Sequence, residues 1–430
     1  MNPPMVDIRP FRAIRYTERG GDPEKLITQP YDKIDSVMQR EYYEKSPYNY
    51  CRLILPMEEN KYEMARDRIE EWLRKGVLAK DEEPSFFVCR QEFKLDGQSC
   101  VRTGVIAALR LYFYDENVVF PHEVTYSAPK TDRLNMLRTT QKDLEPVFLI
   151  YSDPEKVTIN LFAEVTNADP IVDVVDTFKV RHIIWKMASS EKIELLRKAL
   201  EPKILVITDG HHRYESAITY RDERRRQEAW MADSAFNFHM GLLVPIQDEG
   251  LVVLPAHRLL KHHRLTNELL NSLKDFFDVT EIEPSVEGVD AFLSGHKNEH
   301  AFGIYARSKA YGLLLKHEQR VYESVSASSS KETKLYDVVI LRDVIFKTIL
   351  KTGELRMDDD ILYERWAKTA VERVDKGEAD LAFLVNPISA EAVWRIAQEH
   401  ERMPEKTTDF YPKPASGLMM MDVSSREKLT

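Results

Sequence analysis

A short β-branched segment that runs directly into a turn and then a helix is the most constraining feature of this sequence. Residues 203–208 are apolar and β-branched, Asp209-Gly210 follows, and residues 215–226 have helical character. Asp and Gly form tight turns readily, because glycine tolerates backbone angles that other residues resist. Similar strand-like and helix-like runs alternate on both sides of this junction. The pattern predicts an α/β fold of mixed α+β type with mixed sheets.

Other runs suggest how the chain is divided. Residues 61–75 and 189–200 have the apolar spacing of helices, and Asp96-Gly97 between two strand-like runs predicts a hairpin. A chain of 430 residues exceeds one ordinary core. We predict an N-terminal α/β domain over residues 1–245, which carries the Asp-Gly turn. A smaller C-terminal α/β domain is predicted over residues 246–430, with its tail returning toward the functional site.

Composition narrows the class of protein. Lys and Arg number 61 against 71 Asp and Glu, and the net charge of −10 disfavours broad contact with a nucleic-acid backbone. Three widely spaced cysteines fit neither a disulfide framework nor a thiolate zinc site. No apolar run approaches about 18 residues, so no membrane span is expected and the cytoplasm is the expected location. The common nucleotide-loop, zinc-protease and serine-hydrolase signatures are absent.

The segment that follows the predicted strand, DGHHRY, concentrates chemistry at a predicted helix start. Such a start carries N–H groups and a partial positive charge that suit a phosphate, and Arg offers a planar fork to phosphate oxygens. A histidine there tends to stay neutral and available as a base or ligand. A capped turn whose histidines satisfy backbone carbonyls is the competing interpretation. The expected catalytic residues are Asp209, His211 and His212, and the expected phosphate-binding residues are Gly210, Arg213 and Tyr214.

A second polar segment precedes the DGHHRY motif. His122 and Glu123 are candidate general bases, while Lys130 and Arg133 are candidate anion-holding groups. The stretch is expected to lie in a loop. An ordinary solvated loop explains the same residues equally well.

The tail MPEKTTDFYPK is the third candidate. It supplies Lys406, Tyr411 and Lys413 among prolines and aromatics. These residues would either close over a site or pin the terminus by packing, and the residues alone favour packing.

Taken together, these motifs are familiar. Pro30-Tyr31-Asp32, His122-Glu123, DGHHRYESA, Leu254-Pro255-Ala256-His257-Arg258 and MPEKTTDFYPK occur in this order. The chain resembles, over nearly its whole length, the bacterial and archaeal family called domain of unknown function 1015. That resemblance implies no established reaction.

A second likeness covers only Asp209 to Arg213. DGHHR after a strand is similar to the phosphate-contacting turn of the ParB/sulfiredoxin-like fold, which includes free-serine kinases. The likeness implies that the turn and helix start hold nucleotide phosphates while an acid elsewhere activates the acceptor hydroxyl. No motif identifies that acid here, and local chemistry offers Asp32 and Glu123.

Three functions follow from these observations. The first is a nucleotide-dependent phosphotransferase that uses Mg²⁺ and ATP or ADP and acts on a small hydroxylated metabolite such as free serine. The second is a phosphatase for a small phosphoester such as phosphoserine, with His211 or His212 as nucleophile or acid. The third, a non-catalytic ParB-like regulator or nucleic-acid binder, is disfavoured by the acidic balance. The expected partner is a small molecule, with no membrane, and a homo-oligomer is left open.

Overall fold

A computed structural model of the chain describes residues 5–123, 127–325, 330–353, 359–404 and 406–429. Contacts divide these residues into two units that are not contiguous in sequence. Unit 1 comprises the described residues of 1–121, 125–252 and 412–430, and unit 2 those of 122–124 and 253–411. The division into an N-terminal domain of residues 1–245 and a C-terminal domain of residues 246–430 stays a prediction.

Unit 1 is built on a mixed sheet of nine strands within the described residues. Two neighbouring pairs are parallel, and the other pairs are antiparallel. The strands in spatial order are Val119–Pro121, Leu205–Asp209, Val147–Tyr151, Phe238–Pro245, Gln98–Arg110, Phe86–Leu95, Arg181–Met187 and Val172–Val175, with Ile8–Arg9 added beside Gln98–Arg110.

Burial explains the composition of the central strands. Every residue of Val147–Tyr151 and Phe238–Pro245 is buried. Strands covered on both faces need apolar residues at every position rather than at alternate ones. The predicted hairpin is confirmed, since Phe86–Leu95 and Gln98–Arg110 pair antiparallel around Asp96-Gly97.

Helices cover this sheet, and short two-stranded pairs flank it. The α-helices of unit 1 are Ser36–Lys45, Cys51–Ile54, Lys61–Arg74, Ser127–Thr140, Val157–Val165, Ser190–Leu200 and His211–Gln227. Single 3-10 turns occur at Glu18–Gly20, Pro23–Lys25, Tyr31–Lys33, Tyr114–Glu116 and Ala235–Asn237. The two-stranded pairs join Ile14–Tyr16 to Leu78–Lys80 and Lys142–Asp143 to Met421–Asp422.

Unit 2 contains an antiparallel sheet of six strands within the described residues. In spatial order these are Phe277–Ile282, Lys309–Leu315, Ala301–Ala306, Leu381–Val385, His257–Leu260 and Ile361–Glu364. The helices are Asn267–Leu273, Val286–Gly295, Glu318–Ser324, Lys331–Lys334, Asp337–Val339, the π-helix Ile340–Ile349, Ala367–Asp375 and Ala390–Gln398. Two further strands are Val252–Leu254 and Asp409–Tyr411.

One local prediction was wrong. Lys130 and Arg133 lie not in a loop but on the helix Ser127–Thr140. Its apolar residues Leu134, Met136 and Leu137 fall within four positions, so the sequence shows no apolar repeat continued over several helical turns. In the part of the chain that the structure describes, no helix combines the length and the apolar content needed to cross a bilayer.

Candidate functional site

The predicted strand–turn–helix is present at Asp209-Gly210. The strand Leu205–Asp209 ends there, and the helix His211–Gln227 begins after Gly210, whose φ is 89°. The pairing register with the strand Val147–Tyr151 shifts between Ile207 and Asp209. Such a shift turns the strand locally and re-aims the side chains that follow it. Asp209 is therefore the last residue of the strand, and its carboxylate lies beside the first turn of the helix.

Asp209 sits at the centre of an ionic cluster, which we call the DGHHR cluster: Asp209, Arg213 and Lys413. The Lys413 ammonium lies 2.7 Å from Oδ1 of Asp209, and the Arg213 guanidinium donates to Oδ2 at 2.6 Å. All three side chains are largely buried, with exposed fractions of 12% or less. The turn motif and the last residue of the tail motif, 204 positions apart, therefore meet at one carboxylate.

Electrostatics keeps this cluster charged. Burial would raise the pKa of Asp209, but Lys413 and Arg213, with a smaller contribution from Lys33, hold it well below its ordinary value. Burial would lower the pKa of Arg213, yet the carboxylates of Glu145 and Asp209 raise it above its usual range. Asp209 is thus an anion, and both of its partners are cations.

Arg213 is held from several sides. Its Nη1 donates to the carbonyl of Pro146 at 2.6 Å. A Cβ at Gly210 would come within 2.9 Å of two guanidinium nitrogens, so the absence of a side chain at Gly210 lets the guanidinium pack beneath the turn. Among the described residues, Nε of Arg213 is buried without a hydrogen-bond partner. Such a donor is costly to leave unsatisfied and suggests that the site has a further ligand.

Backbone contacts fix Lys413 in this position. The buried Arg102 guanidinium donates to the carbonyl of Pro412 and to the side-chain oxygen of Gln91. Gln91 in turn donates to the carbonyl of Lys413 at 3.2 Å. Burial lowers the pKa of Arg102 to about 10. Neither Arg102 nor Gln91 was singled out from the sequence, because an Arg and a Gln inside two strand-like runs carry no local signal.

A second pair of charges adjoins Arg213. Arg133 lies 3.7 Å from Glu145, and its guanidinium stacks 3.9 Å from the ring centroid of Tyr31. Glu145 accepts from the backbone N–H of Tyr31 at 3.1 Å and from the Ser416 hydroxyl at 2.7 Å. The exposed Asp32 also acts electrostatically on Arg213. Predicted residues Arg133, Asp32 and Arg213 therefore share one region of unit 1.

The remaining residues of this region have structural partners. Tyr214 is fully buried, and its hydroxyl donates to the carbonyl of Tyr112 at 3.1 Å and accepts from its N–H at 2.9 Å. Lys130 pairs with Glu215 at 2.9 Å. His211 is buried in the first helical turn and His212 is half-buried beside it. Their predicted roles in binding and catalysis stay predictions.

Unit 2 brings together another set, the His122 cluster: His122, Glu123 and Thr408. The His122 Nε2 lies 2.8 Å from the Thr408 hydroxyl and 3.4 Å from the Glu123 carboxylate. Glu123 also forms an isolated bridge with Met403, whose N–H bonds to the carbonyl of His122. The His-Glu segment and the tail motif therefore contact each other, although the sequence treated them separately.

Two further residues of the tail motif, Lys406 and Tyr411, make contacts within unit 2. Lys406 has a φ of 52°, and its carbonyl accepts from the buried Arg258. The ring centroids of Tyr411 and Trp366 lie 6.0 Å apart. Glu405 of the MPEKTT motif lies outside the described residues.

Glu145 is a third residue of the candidate site that the sequence did not reveal. It is a single acid that directly precedes Pro146 and an apolar strand. An acid in that place is explained as the end of a loop, so only the tertiary contacts with Arg133 and Tyr31 distinguish it.

A metal ion at this site would need coordinating atoms from the bound substrate as well as from the protein. No group of three or more His, Cys, Asp or Glu side chains that could hold a metal is found among the described residues. Mg²⁺ is commonly held by one or two carboxylates together with substrate phosphates and waters. Asp32, exposed and in electrostatic range of Arg213, fits that weaker requirement.

Comparison with known protein families shows to which family the chain belongs. A family model described as protein of unknown function (DUF1015) matches residues 8–339. The chain belongs to this family. No curated protein matches the chain.

Solved structures with a similar chain trace have low sequence identity. A free serine kinase in complex with AMP is 16% identical, covers 76% of this chain and 93% of its own, and gives a TM-score of 0.35. A conserved hypothetical protein from Pyrococcus furiosus is 16% identical, with coverages of 73% and 93% and a TM-score of 0.34. C-terminally truncated SbnI from Staphylococcus aureus is 8% identical, with coverages of 74% and 87% and a TM-score of 0.35.

Proposed function

We propose that unit 1 binds the phosphate of a nucleotide at the DGHHR cluster and transfers a phosphoryl group to the hydroxyl of a small metabolite such as free serine. The observation that carries the proposal is the arrangement at the turn. Two buried cations share one carboxylate at the first turn of a 17-residue helix. A phosphate is the ligand class that such an arrangement favours.

The residues have distinct tasks in this proposal. Arg213 and Lys413 hold phosphate oxygens. Both already form charge-assisted hydrogen bonds with the Asp209 carboxylate, so their charged groups converge on one place. Asp209 keeps the two cations in place between binding events. Positioning and charge stabilisation are the main requirements of phosphoryl transfer, because its transition state needs little covalent help.

Mg²⁺ would be held by Asp32 together with the ligand phosphates, and when bound it would neutralise charge on the transferred group. Asp32 is also the candidate base within unit 1. Glu123, the other acid considered, lies in unit 2, and its assignment as a base stays a prediction.

Ligand-dependent thermal unfolding tests the binding step. ATP, ADP and phosphoserine, each with and without Mg²⁺, are compared on the full chain. A nucleotide at about 100 times its Kd should stabilise the fold by about 2.7 kcal/mol. We expect this stabilisation in the wild type and its loss in Arg213→Lys, because lysine cannot supply the planar fork.

Arg221→Lys is the matched control. Arg221 lies on the same helix, is as deeply buried, and also has one nitrogen without a partner among the described residues. It contacts Asp222 and the carbonyl of Leu111 rather than the turn. Nucleotide stabilisation should persist in this variant.

Transfer is then measured directly by following phosphoserine formation from serine with ³¹P NMR. Asp32→Asn should lower kcat if Asp32 acts as the base, and it should weaken nucleotide binding in the presence of Mg²⁺ but not in its absence if Asp32 holds the metal. Stabilisation by phosphoserine alone, with release of inorganic phosphate, would make the protein a phosphatase instead. No stabilisation by any ligand of the panel would overturn the proposal.

A further inference from the structure

A small cavity in unit 1 is lined in part by Arg213, which lies on the helix His211–Gln227. Its volume is about 30 Å³, and every residue that lines it is buried. Five of its lining side chains are polar: Arg133, Asp143, Glu145, Arg213 and His239. An apolar cavity of this size would stay dry, whereas a polar one of more than about 10–15 Å³ admits water.

Two nitrogens of residues on this cavity lack partners. Within the part of the chain that the structure describes, Nε of Arg213 and Nε2 of His239 are both buried with no hydrogen-bond partner. A buried polar group without a hydrogen-bond partner is destabilising. Two such groups on one polar cavity are a stronger indication of a bound molecule than either would be alone.

The other ring nitrogen of His239 defines what Nε2 can do. Nδ1 lies 2.7 Å from Oδ2 of Asp143, and that same oxygen accepts from the backbone N–H of Met240. A carboxylate is an acceptor, so Nδ1 of His239 carries a ring hydrogen. Nε2 is the ring nitrogen without a partner, and Nε of Arg213 is a hydrogen-bond donor.

The ligand must accept a hydrogen bond from Nε of Arg213 and also pair with Nε2 of His239, as donor or as acceptor. Water does both, and a halide ion can only accept. The charges around the cavity also balance, since Arg133 and Arg213 are opposed by Asp143 and Glu145. A balanced lining gives an anion no advantage over water.

From these observations we propose that one or two ordered water molecules occupy this cavity and join His239 to Arg213. The His239–Asp143 pair is thereby connected to the DGHHR cluster through a hydrogen bond that no side chain provides. This inference does not depend on the proposed phosphotransfer, because it concerns a site closed to a nucleotide by its size.

A second buried His–Asp pair serves as an internal control. In His182 both ring nitrogens have partners, Asp176 at 3.1 Å from Nε2 and Gln91 at 3.5 Å from Nδ1. No water is required there. The contrast between the two histidines is therefore visible in one experiment.

A high-resolution crystal structure of the full chain, with one crystal soaked in bromide, tests the proposal. We expect solvent density within hydrogen-bonding distance of both Nε2 of His239 and Nε of Arg213, no anomalous bromide signal there, and no solvent on the His182 ring. Bromide in the cavity would overturn water in favour of an anion. A cavity without density, or a His239 ring paired with a side chain through Nε2, would overturn the site.

The variant His239→Phe keeps a ring at this position and removes Nε2. We expect its crystal structure to lack the solvent density, and the number of long-lived waters seen by ¹⁷O magnetic relaxation dispersion to fall by at least one. His182→Phe should leave that solvent density in place. An unchanged solvent peak in His239→Phe would show that His239 does not hold the water.

Discussion

The interiors of the two units differ in how many charged side chains they bury. Among the described residues, unit 1 buries ten charged side chains, whereas in unit 2 only Arg258 and Asp343 are buried in this way. The core of unit 2 is otherwise dominated by leucine, isoleucine, valine and phenylalanine side chains. The ten of unit 1 are Arg102, Arg133, Asp143, Glu145, Asp153, Asp176, Arg213, Arg221, Lys413 and Glu427.

This difference is consistent with the proposed location of the site in unit 1. Burying a charge costs several kcal/mol unless it is paired, and an apolar replacement is often as stable or more so. Stability alone therefore does not explain why Arg133, Glu145, Asp209, Arg213 and Lys413 gather in one region. Perturbed, converging charges are typical of ligand sites, which supports placing the site in unit 1.

The largest expected effect comes from breaking the cluster. Arg213→Met leaves Asp209 with one cation and should lower the free energy of unfolding by about 3–5 kcal/mol. In unit 2, Arg258 donates to the carbonyls of Ala256 and Lys406, and none of its described contacts is a carboxylate. Arg258→Met should cost only about 1–2 kcal/mol. Urea unfolding of both variants measures the difference, and equal losses would remove the contrast between the units.

Acid should lower the stability of unit 2 in part by protonating one buried histidine, His257. Burial, with a smaller contribution from Arg258, lowers the pKa of His257 to about 3. Since the unfolded chain takes up the proton near pH 6.5, the stability is present above pH 6.5 and is lost as the pH falls toward 3. The loss should be about 3–5 kcal/mol.

Amide exchange of the strand Leu381–Val385, measured across this pH range, follows that loss. The N–H of Val385 bonds to Nδ1 of His257, so this strand reports on the histidine. His257→Gln, which keeps an acceptor without the titration, should flatten the pH dependence. An equally steep dependence in the variant would mean that other groups cause it.

The turn itself offers a smaller, well-controlled effect. Gly210→Ala places a side chain at a φ of 89° and against the Arg213 guanidinium. We expect a loss of about 2–3 kcal/mol, combining backbone strain and displacement of Arg213. Gly97→Ala is the control, because Gly97 has a φ of 81° with nothing within 4 Å of an added Cβ. It should cost about 1 kcal/mol. Thermal unfolding compares the two variants, and the same shift in both would mean that contact with Arg213 contributes nothing.

The smallest effect concerns Asp132. Burial would raise its pKa, but Arg133, Lys61 and Tyr62 lower it to about 2. The stability this provides is present above about pH 4 and is lost as the pH falls toward 2, and solvent screening limits it to on the order of 1 kcal/mol. Asp132→Asn should therefore converge with the wild type in unfolding free energy as the pH falls. A constant difference from pH 5 to pH 2 would contradict this assignment.

The sequence indicated local structure better than it indicated assembly. The turn at Asp209-Gly210 and the hairpin at Asp96-Gly97 were predictable because Gly and Asp have strong local preferences. The partnership of Asp209 with Lys413 was not, since no local rule joins residues 204 positions apart. Arg102 and Gln91 were missed for the same reason. The helix that carries Arg133 was missed because its apolar residues are crowded together.

The connectivity of the units has a consequence for how the protein is made. Unit 2 is inserted into unit 1, so the chain leaves unit 1 after Val252 and re-enters it at Pro412. A ribosome therefore releases Asp209 and Arg213 long before Lys413 emerges. Until then the Asp209 carboxylate has only one of its two cations, and the cluster can be completed only after all of unit 2 has been synthesised.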